Sequence, residues 1–326
     1  METIHNPSKF EIHRAAKALK AGYLVAFPTE TVYGLGADPL NEKAVGRIYS
    51  AKGRPTNHPV IVHISSINQL DIWAREIPEY ARNLAKEFWP GPMTLILKNG
   101  DLPKSFVNGG QDSIGLRVPD NSVALDLINS FEEIGGIGIA APSANRFGSV
   151  SPTSAQAVED ELSEYLGKMD LILDDGDCKV GVESSIIDCT QQHPIVVRPG
   201  SITIEMIENL LGSNLKLNHR KSEIRTPGQH ESHYSPRAEV VISNHADPGD
   251  GFIALACIPT PKGAVRLASP NNNEEFARLM YKALRSGDQQ GLRKIVVLQP
   301  NGDGLAVAIR DRLGKAASVR NLSERS

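Results

Sequence analysis

Phe27-Pro28-Thr29-Glu30-Thr31-Val32-Tyr33-Gly34-Leu35-Gly36 is the stretch around which the rest of this chain is arranged. The apolar run Tyr23 to Phe27 before it reads as a buried strand: it is short, partly β-branched and aromatic, and stopped by Pro28. Gly34 and Gly36 then allow backbone to approach a neighbour closely or to take a positive φ. Glu42 to Ala51 has helical periodicity with Asn41 as its N-cap, and it runs out at Lys52 and Arg54, just before Pro55. A second buried strand, Val60 to Ile64, carries His63 near its end. Polar groups thus gather at the ends of two strands, where open α/β sheets place their ligands. On spacing alone, the same residues also describe a Gly-rich turn followed by a solvated Lys/Arg pair.

Around this stretch the chain alternates helices and strands. Ser8-Lys9-Phe10-Glu11 is a capping box, and Ile12, Ala15, Ala16 and Leu19 continue it at helical spacing. Tyr80 to Phe88 predicts a helix and Met93 to Leu97 a strand. Ser113 to Val118 alternates, which brings Ser113, Gly115 and Arg117 to one side. Asn121 to Ser130 predicts a helix, Gly138 to Ala141 a short strand, and Thr153 to Gln156 a second capping box. Strands at Leu171–Leu173, Ser185–Asp188 and Ile195–Val197 and a helix at Ile202–Leu211 close this unit. From Gly212 to Arg237 the apolar period fades and Pro, Gly, His, Ser and Lys dominate, as in a linker or functional loop. A new pattern follows: strands at Glu239–Ile242, Phe252–Ala256, Ala264–Leu267 and Lys294–Leu298, with helices at Glu274–Arg285 and Leu305–Leu313. It predicts a small, mainly parallel, Rossmann-like α/β sheet. The expected division is therefore 1–211, a linker over 212–237, and a C-terminal domain over 238–326.

Composition narrows the function. The 326 residues are 40% hydrophobic and 22% charged, an ordinary globular balance whose length suits two domains. No apolar run approaches the roughly 18 residues of a membrane span, and Met1 to Lys9 has no apolar signal core. Three widely spaced cysteines suit reduced thiols in a cytoplasmic protein. The formal net charge of −3 argues against a generic nucleic-acid binder. There is no Walker A loop and no GxSxG elbow. Gly136-Ile137-Gly138-Ile139-Ala140-Ala141 matches a loose dinucleotide string, but Pro142 follows and removes a needed donor. Asp174, Asp175 and Asp177 lack the further ligands of a calcium loop, and His230 and His233 lack zinc partners; no protein metal site is expected.

What remains is a set of cations, Lys52, Arg54, Arg117 and Arg198, with the small polar residues Thr31, Ser143, Asn145, Ser151, Ser184 and Ser185. Cations suit phosphate and carboxylate recognition. With no nucleophile or acid–base pair in evidence, the balance suits catalysis by positioning and charge stabilisation, as in nucleotidyl transfer.

Pro28 to Leu35, Lys52-Gly53-Arg54-Pro55 and Val62-His63 closely resemble the threonylcarbamoyl-AMP synthase family, built on a YrdC-like domain. The likeness continues through Leu116-Arg117-Val118-Pro119, Ala141-Pro142-Ser143-Ala144-Asn145, Ser151-Pro152-Thr153, Gly181 to Asp188 and Arg198-Pro199-Gly200. It covers about the first 210 residues, and His233-Tyr234-Ser235-Pro236 with the unit after it resembles the longer, two-domain form. The resemblance implies a YrdC-like twisted mixed sheet with helices. It also implies synthesis of L-threonylcarbamoyl-AMP and pyrophosphate from L-threonine, bicarbonate or CO2, and ATP, with Mg2+ arriving on the triphosphate. The product would pass to a tRNA threonylcarbamoyl transferase complex. Carried over by motif, the threonine site comprises Thr31, His63, Arg117, Ala141 and Ser184. The ATP site comprises Lys52, Arg54, His58, Ser113, Ser143, Asn145, Ser151, Arg198 and Tyr234, with Lys52 and Arg54 catalytic. His58 stands where many relatives carry asparagine, and Glu231-Ser232 replaces an expected basic run before His233-Tyr234. The linker is expected to close over the site and exclude water. The competing reading is an RNA-binding translation or ribosome-assembly factor with the same fold.

Overall fold

The computed structural model describes residues 1–212, 224–226 and 234–318. In chain order the elements begin β1 (Glu2–His5), α1 (Lys9–Lys20), β2 (Val25–Phe27), β3 (Gly34–Gly36), α2 (Glu42–Lys52), β4 (Val62–His63) and α3 (Leu70–Trp73). They continue with α4 (Glu79–Phe88), β5 (Met93–Lys98), α5 (Ser105–Asn108), β6 (Ser113–Arg117), α6 (Ser122–Glu133), β7 (Ile139–Ala140) and α7 (Ala155–Leu162). Then come β8 (Leu171–Asp174), β9 (Ser185–Asp188), β10 (Ile195–Arg198) and α8 (Ile204–Leu211). After the linker follow β11 (Glu239–Ile242), β12 (Gly251–Ile253), β13 (Val265–Ala268), α9 (Asn273–Gln289), β14 (Lys294–Val297) and α10 (Leu305–Ala317).

The strands make three sheets, ordered β1-β8-β2-β3, β10-β9-β5-β6-β4-β7 and β11-β14-β12-β13. The first two mix parallel and antiparallel pairs, whereas every pair of the third is parallel. Gly34 and Gly36 lie not in a turn but in β3, antiparallel to β2. Isolated bridges Gly34–Ser143 and Ala37–Ala140 tie this sheet to the second. A Cβ on Gly36 would lie 2.8 Å from Ile139 Cγ2 and 3.0 Å from the Val25 carbonyl oxygen. Close approach, not positive φ, is therefore what requires the glycine.

Local chemistry sets the helix ends. Ser8 and Glu11 form the reciprocal capping box of α1, whose Ile12, Ala15, Ala16 and Leu19 pack on Val123, Leu127, Ile128 and Phe131 of α6. Asn41 caps α2, and Gly53 ends it in the left-handed conformation (φ 61°). The expected capping box at Thr153 sits one residue later: Ser154 caps α7 through the Ala157 amide, and Gln156 turns outward to Glu159 and Asp160. β1 has no counterpart in the sequence pattern, since only Ile4 of its four residues is buried. The C-terminal sheet carries its own core of Phe276, Met280, Tyr281, Ile253, Ile295 and Ile309, which also takes in Val32, Val150 and Val182 from the N-terminal part.

Candidate active site

Register places the functional side chains together. His63 ends β4 and Arg117 ends the parallel strand β6, as direct neighbours in the ladder. Ser184 immediately precedes β9, and Arg198 ends β10, which runs antiparallel to β9. The left-handed turn at Gly53 lets Lys52 and Arg54 both turn inward, 2% and 8% exposed. These groups line one cleft with Thr29, Thr31, Tyr33, Ala141, Ser143, Phe147, Glu183 and Tyr234.

The cations are held from behind. Lys52 Nζ donates to the backbone carbonyls of Ser143 (2.6 Å) and Asn145 (2.5 Å). Burial, then the charge of Arg54, pushes its pKa well below the ordinary lysine range. Arg54 donates from Nη2 to the Pro59 carbonyl at 2.7 Å, while its buried Nε has no partner among the described residues. Burial lowers its pKa to about 10. Arg198 grips Ser184 twice, Nε on the carbonyl (3.0 Å) and Nη2 on the hydroxyl (3.1 Å).

At the other end, Arg117 forms a buried ion pair with Glu30 (2.7 Å) and donates to Thr31 Oγ1 (3.0 Å) and the Gly91 carbonyl (3.3 Å). His63 packs edge-on against Phe27, and its buried Nδ1 has no partner among the described residues. Burial, reinforced by Arg117, depresses its pKa to about 3, so the ring is neutral at physiological pH. Glu183 is the third charge centre. It accepts from Ser151 Oγ (2.6 Å), from the Tyr281 hydroxyl (2.9 Å) and from Arg312 Nε (2.8 Å). Burial pushes its pKa up, but Arg312, Arg198 and the Ser151 hydroxyl outweigh it and hold it at about 2.

Of the residues expected from sequence, Thr31, Lys52, Arg54, His63, Arg117, Ala141, Ser143, Ser184, Arg198 and Tyr234 line this one cleft. Four do not. Asn145 is buried behind it, its carbonyl on Lys52 and its amide on the carbonyls of Arg146 and Ser149. Ser151 supports Glu183 rather than facing the cavity. His58 is half-buried and stacks edge-on against Phe147, a lining residue. Ser113 opens into an adjoining slot with Gly115, Ile61, Thr94 and Ile186, bordered by Ile224 to Thr226. The expectation that the linker closes over the cleft falls mostly on residues outside those described. Glu30 and Glu183 stood inside recognised motifs without a role, and Tyr281 and Arg312 had no local signal. The three aspartates pair with side chains, Asp174 with His5, Asp175 with Asn121 and Asp177 with Lys282. Among the described residues, no three His, Cys, Asp or Glu side chains converge on a metal-sized point.

The family model described as telomere recombination (Sua5/YciO/YrdC) matches residues 17–200. The model described as the C-terminal domain of threonylcarbamoyl-AMP synthase matches residues 202–318. The threonylcarbamoyl-AMP synthase of Pyrococcus abyssi is 40% identical over 96% of this chain and 95% of its own. The chain belongs to the threonylcarbamoyl-AMP synthase family. That of Bacillus subtilis is 37% identical over 95% of this chain and 94% of its own. The crystal structure of P. abyssi Sua5 complexed with L-threonine matches with a TM-score of 0.86 at 37% identity, covering 98% of each chain. Escherichia coli YciO shares the fold of the N-terminal part, with a TM-score of 0.52 over 61% of this chain. Glu183, which lines the cleft, lies within the stretch matched by the first model, and its partners Tyr281 and Arg312 lie within that matched by the second.

Proposed function

We propose that this chain makes L-threonylcarbamoyl-AMP and pyrophosphate from L-threonine, bicarbonate or CO2, and ATP. The observation that carries the assignment of roles is the meeting of Lys52, Arg54, Arg117 and Arg198 in one cleft beside a neutral His63. The threonine amine adds to CO2 with loss of a proton, giving a carbamate. A carbamate oxygen then bonds to the α-phosphorus as the bond to the bridging oxygen of pyrophosphate breaks. Negative charge grows on the phosphate oxygens, where Arg54 and Arg198 offer fixed positive charge and Lys52 a directed Nζ donor. Arg117, steadied by Thr31, suits the threonine carboxylate. His63 has a pKa too low to take the ammonium proton near neutral pH, so its role is to orient the amino acid by hydrogen bonding. Mg2+ fits as a companion of the triphosphate, supplying charge neutralisation there.

The product suits hand-over to a tRNA threonylcarbamoyl transferase acting on tRNAs that read codons beginning with A. Such chemistry belongs in the cytoplasm, and no helix among the described residues is long and apolar enough to cross a membrane. The RNA-binding reading gains no support from the relatives, which are named as synthases. The test is pyrophosphate release from ATP with and without L-threonine and bicarbonate, in the native chain and in Arg54→Ala and Arg117→Ala. Release that needs both co-substrates and collapses in the variants supports the assignment; release indifferent to threonine overturns it.

A further inference from the structure

A carboxylate in a cleft meant for a triphosphate opposes its purpose, and Glu183 is such a group: it lines the cleft and is 6% exposed. Its charge is met from the C-terminal domain. Arg312, on α10, is fully buried and places Nε 2.8 Å from Oε2 of Glu183. The same guanidinium donates to the Pro199 carbonyl at 3.0 Å, directly after Arg198, and lies 5.4 Å from the ring centroid of Tyr234. Its other carboxylate partner, Asp311, is shared with Lys315. Tyr281, on α9, bonds both oxygens of Glu183 and stacks on Tyr234 at 5.8 Å. Ser151 completes the set from the N-terminal domain.

We propose that Arg312 is a positioning residue for ATP: it neutralises Glu183 and backs Tyr234, so that the charge of the cleft's own cations is directed at the triphosphate. Simple docking of two domains would be served as well by apolar side chains, because burying an ion pair costs desolvation that the pair only repays. A fully buried arginine whose contacts converge on Glu183, Pro199 and Tyr234 is placed instead where it sets the potential of the cleft. Beside Arg312, Glu183 is ionised at every working pH, its pKa held at about 2, and Arg198 and the Ser151 hydroxyl continue to favour the carboxylate when Arg312 is removed. Without Arg312 that charge would draw on the phosphate-facing cations.

This rests on the ATP-using reading, and the experiment separates the two. Equilibrium ATP binding and the KM values for ATP and threonine are measured in the full chain for Arg312→Met, Arg312→Lys and the double variant Arg312→Met/Glu183→Gln, with melting temperatures alongside. Arg312→Met is expected to weaken ATP binding at least about tenfold and to leave threonine KM within about twofold of the native value. Adding Glu183→Gln is expected to recover most of the loss, because it removes the stranded charge without restoring any contact to residue 312. Arg312→Lys should fall between. ATP affinity unchanged in Arg312→Met, or a double variant no better than the single, overturns the proposal. Should Arg312→Met fail to fold, the double variant and Arg312→Lys decide the matter by the same criteria. A native chain that binds no ATP overturns the underlying reading instead.

Discussion

Acidification should destabilise this protein through His63 by an amount that follows from burial. In the unfolded chain the imidazole titrates near about 6.5, whereas in the fold burial and Arg117 hold its pKa at about 3. Between pH 7 and pH 5 the unfolded state gains a proton that the folded state refuses, so stability falls as pH falls. Integrating the proton difference over that window gives about 1.9 kcal/mol, set almost wholly by the unfolded chain because the folded ring is still neutral at pH 5. Glu183 acts in the same direction, but only below the ordinary carboxylate range, as pH falls toward its folded value of about 2. Urea unfolding at pH 7, 6 and 5 measures the loss, and the same series on His63→Gln isolates it, because glutamine cannot titrate. The native chain should lose about 2 kcal/mol more than the variant over this range. Parallel losses in the two proteins would show that His63 is free to protonate in the fold, and the account of a neutral orienting ring would fail.

Three further outcomes follow from the geometry. Lys52→Met strips a donor from the phosphate end and leaves the Ser143 and Asn145 carbonyls short of one, so kcat/KM for ATP should drop on the order of 100-fold; a loss under about threefold would remove Lys52 from the mechanism. Arg117→Met strands Glu30 as a buried charge and should cost about 3–5 kcal/mol in urea unfolding. Adding Glu30→Gln should return much of that stability while threonine KM stays at least about tenfold raised, and native threonine affinity in the double variant would refute the carboxylate role. Gly36→Ala drives a methyl group into Ile139 and the Val25 carbonyl, and should lower stability by about 1–3 kcal/mol; an unchanged melting temperature would contradict the close approach of the two sheets.

The sequence made the scaffold readable wherever one residue's neighbours in the chain are also its neighbours in space. The run into Phe27, the Asn41 cap, the strand of Ser185 to Asp188 and the parallel C-terminal sheet all carry local periodicity or capping signals, and the structure has each of them. β1 escaped because a four-residue strand with one buried side chain has no period to detect. The motifs named the residue types of the cleft, yet a motif does not say which atoms face the cavity. Asn145 and Ser151 work from behind, and Ser113 opens into a separate slot. Glu183 and Arg312 are 129 positions apart, with a linker and most of a second domain between them. No window of sequence contains both, so their pairing is visible only once the C-terminal domain is docked.

The charge pattern of the cleft matches the two substrates separately. Threonine is a zwitterion, and the end of the cleft proposed for it offers Arg117, whose charge is balanced from behind by the buried Glu30 at 2.7 Å, next to an uncharged imidazole. An unbalanced positive site there would repel the ammonium, and an unbalanced negative one the carboxylate. The triphosphate is a polyanion, and the end proposed for it carries Lys52, Arg54 and Arg198, with the intruding carboxylate of Glu183 answered from the second domain. The N-terminal domain therefore satisfies the amino-acid end from its own sequence, Glu30 lying within the same motif as Thr31. For the proposed phosphate end it depends on Arg312, which meets Glu183 from behind and lies beyond the linker in the chain. A fragment ending before the C-terminal domain should accordingly lose ATP affinity before it loses threonine affinity, because Glu183 would keep its charge and lose its partner.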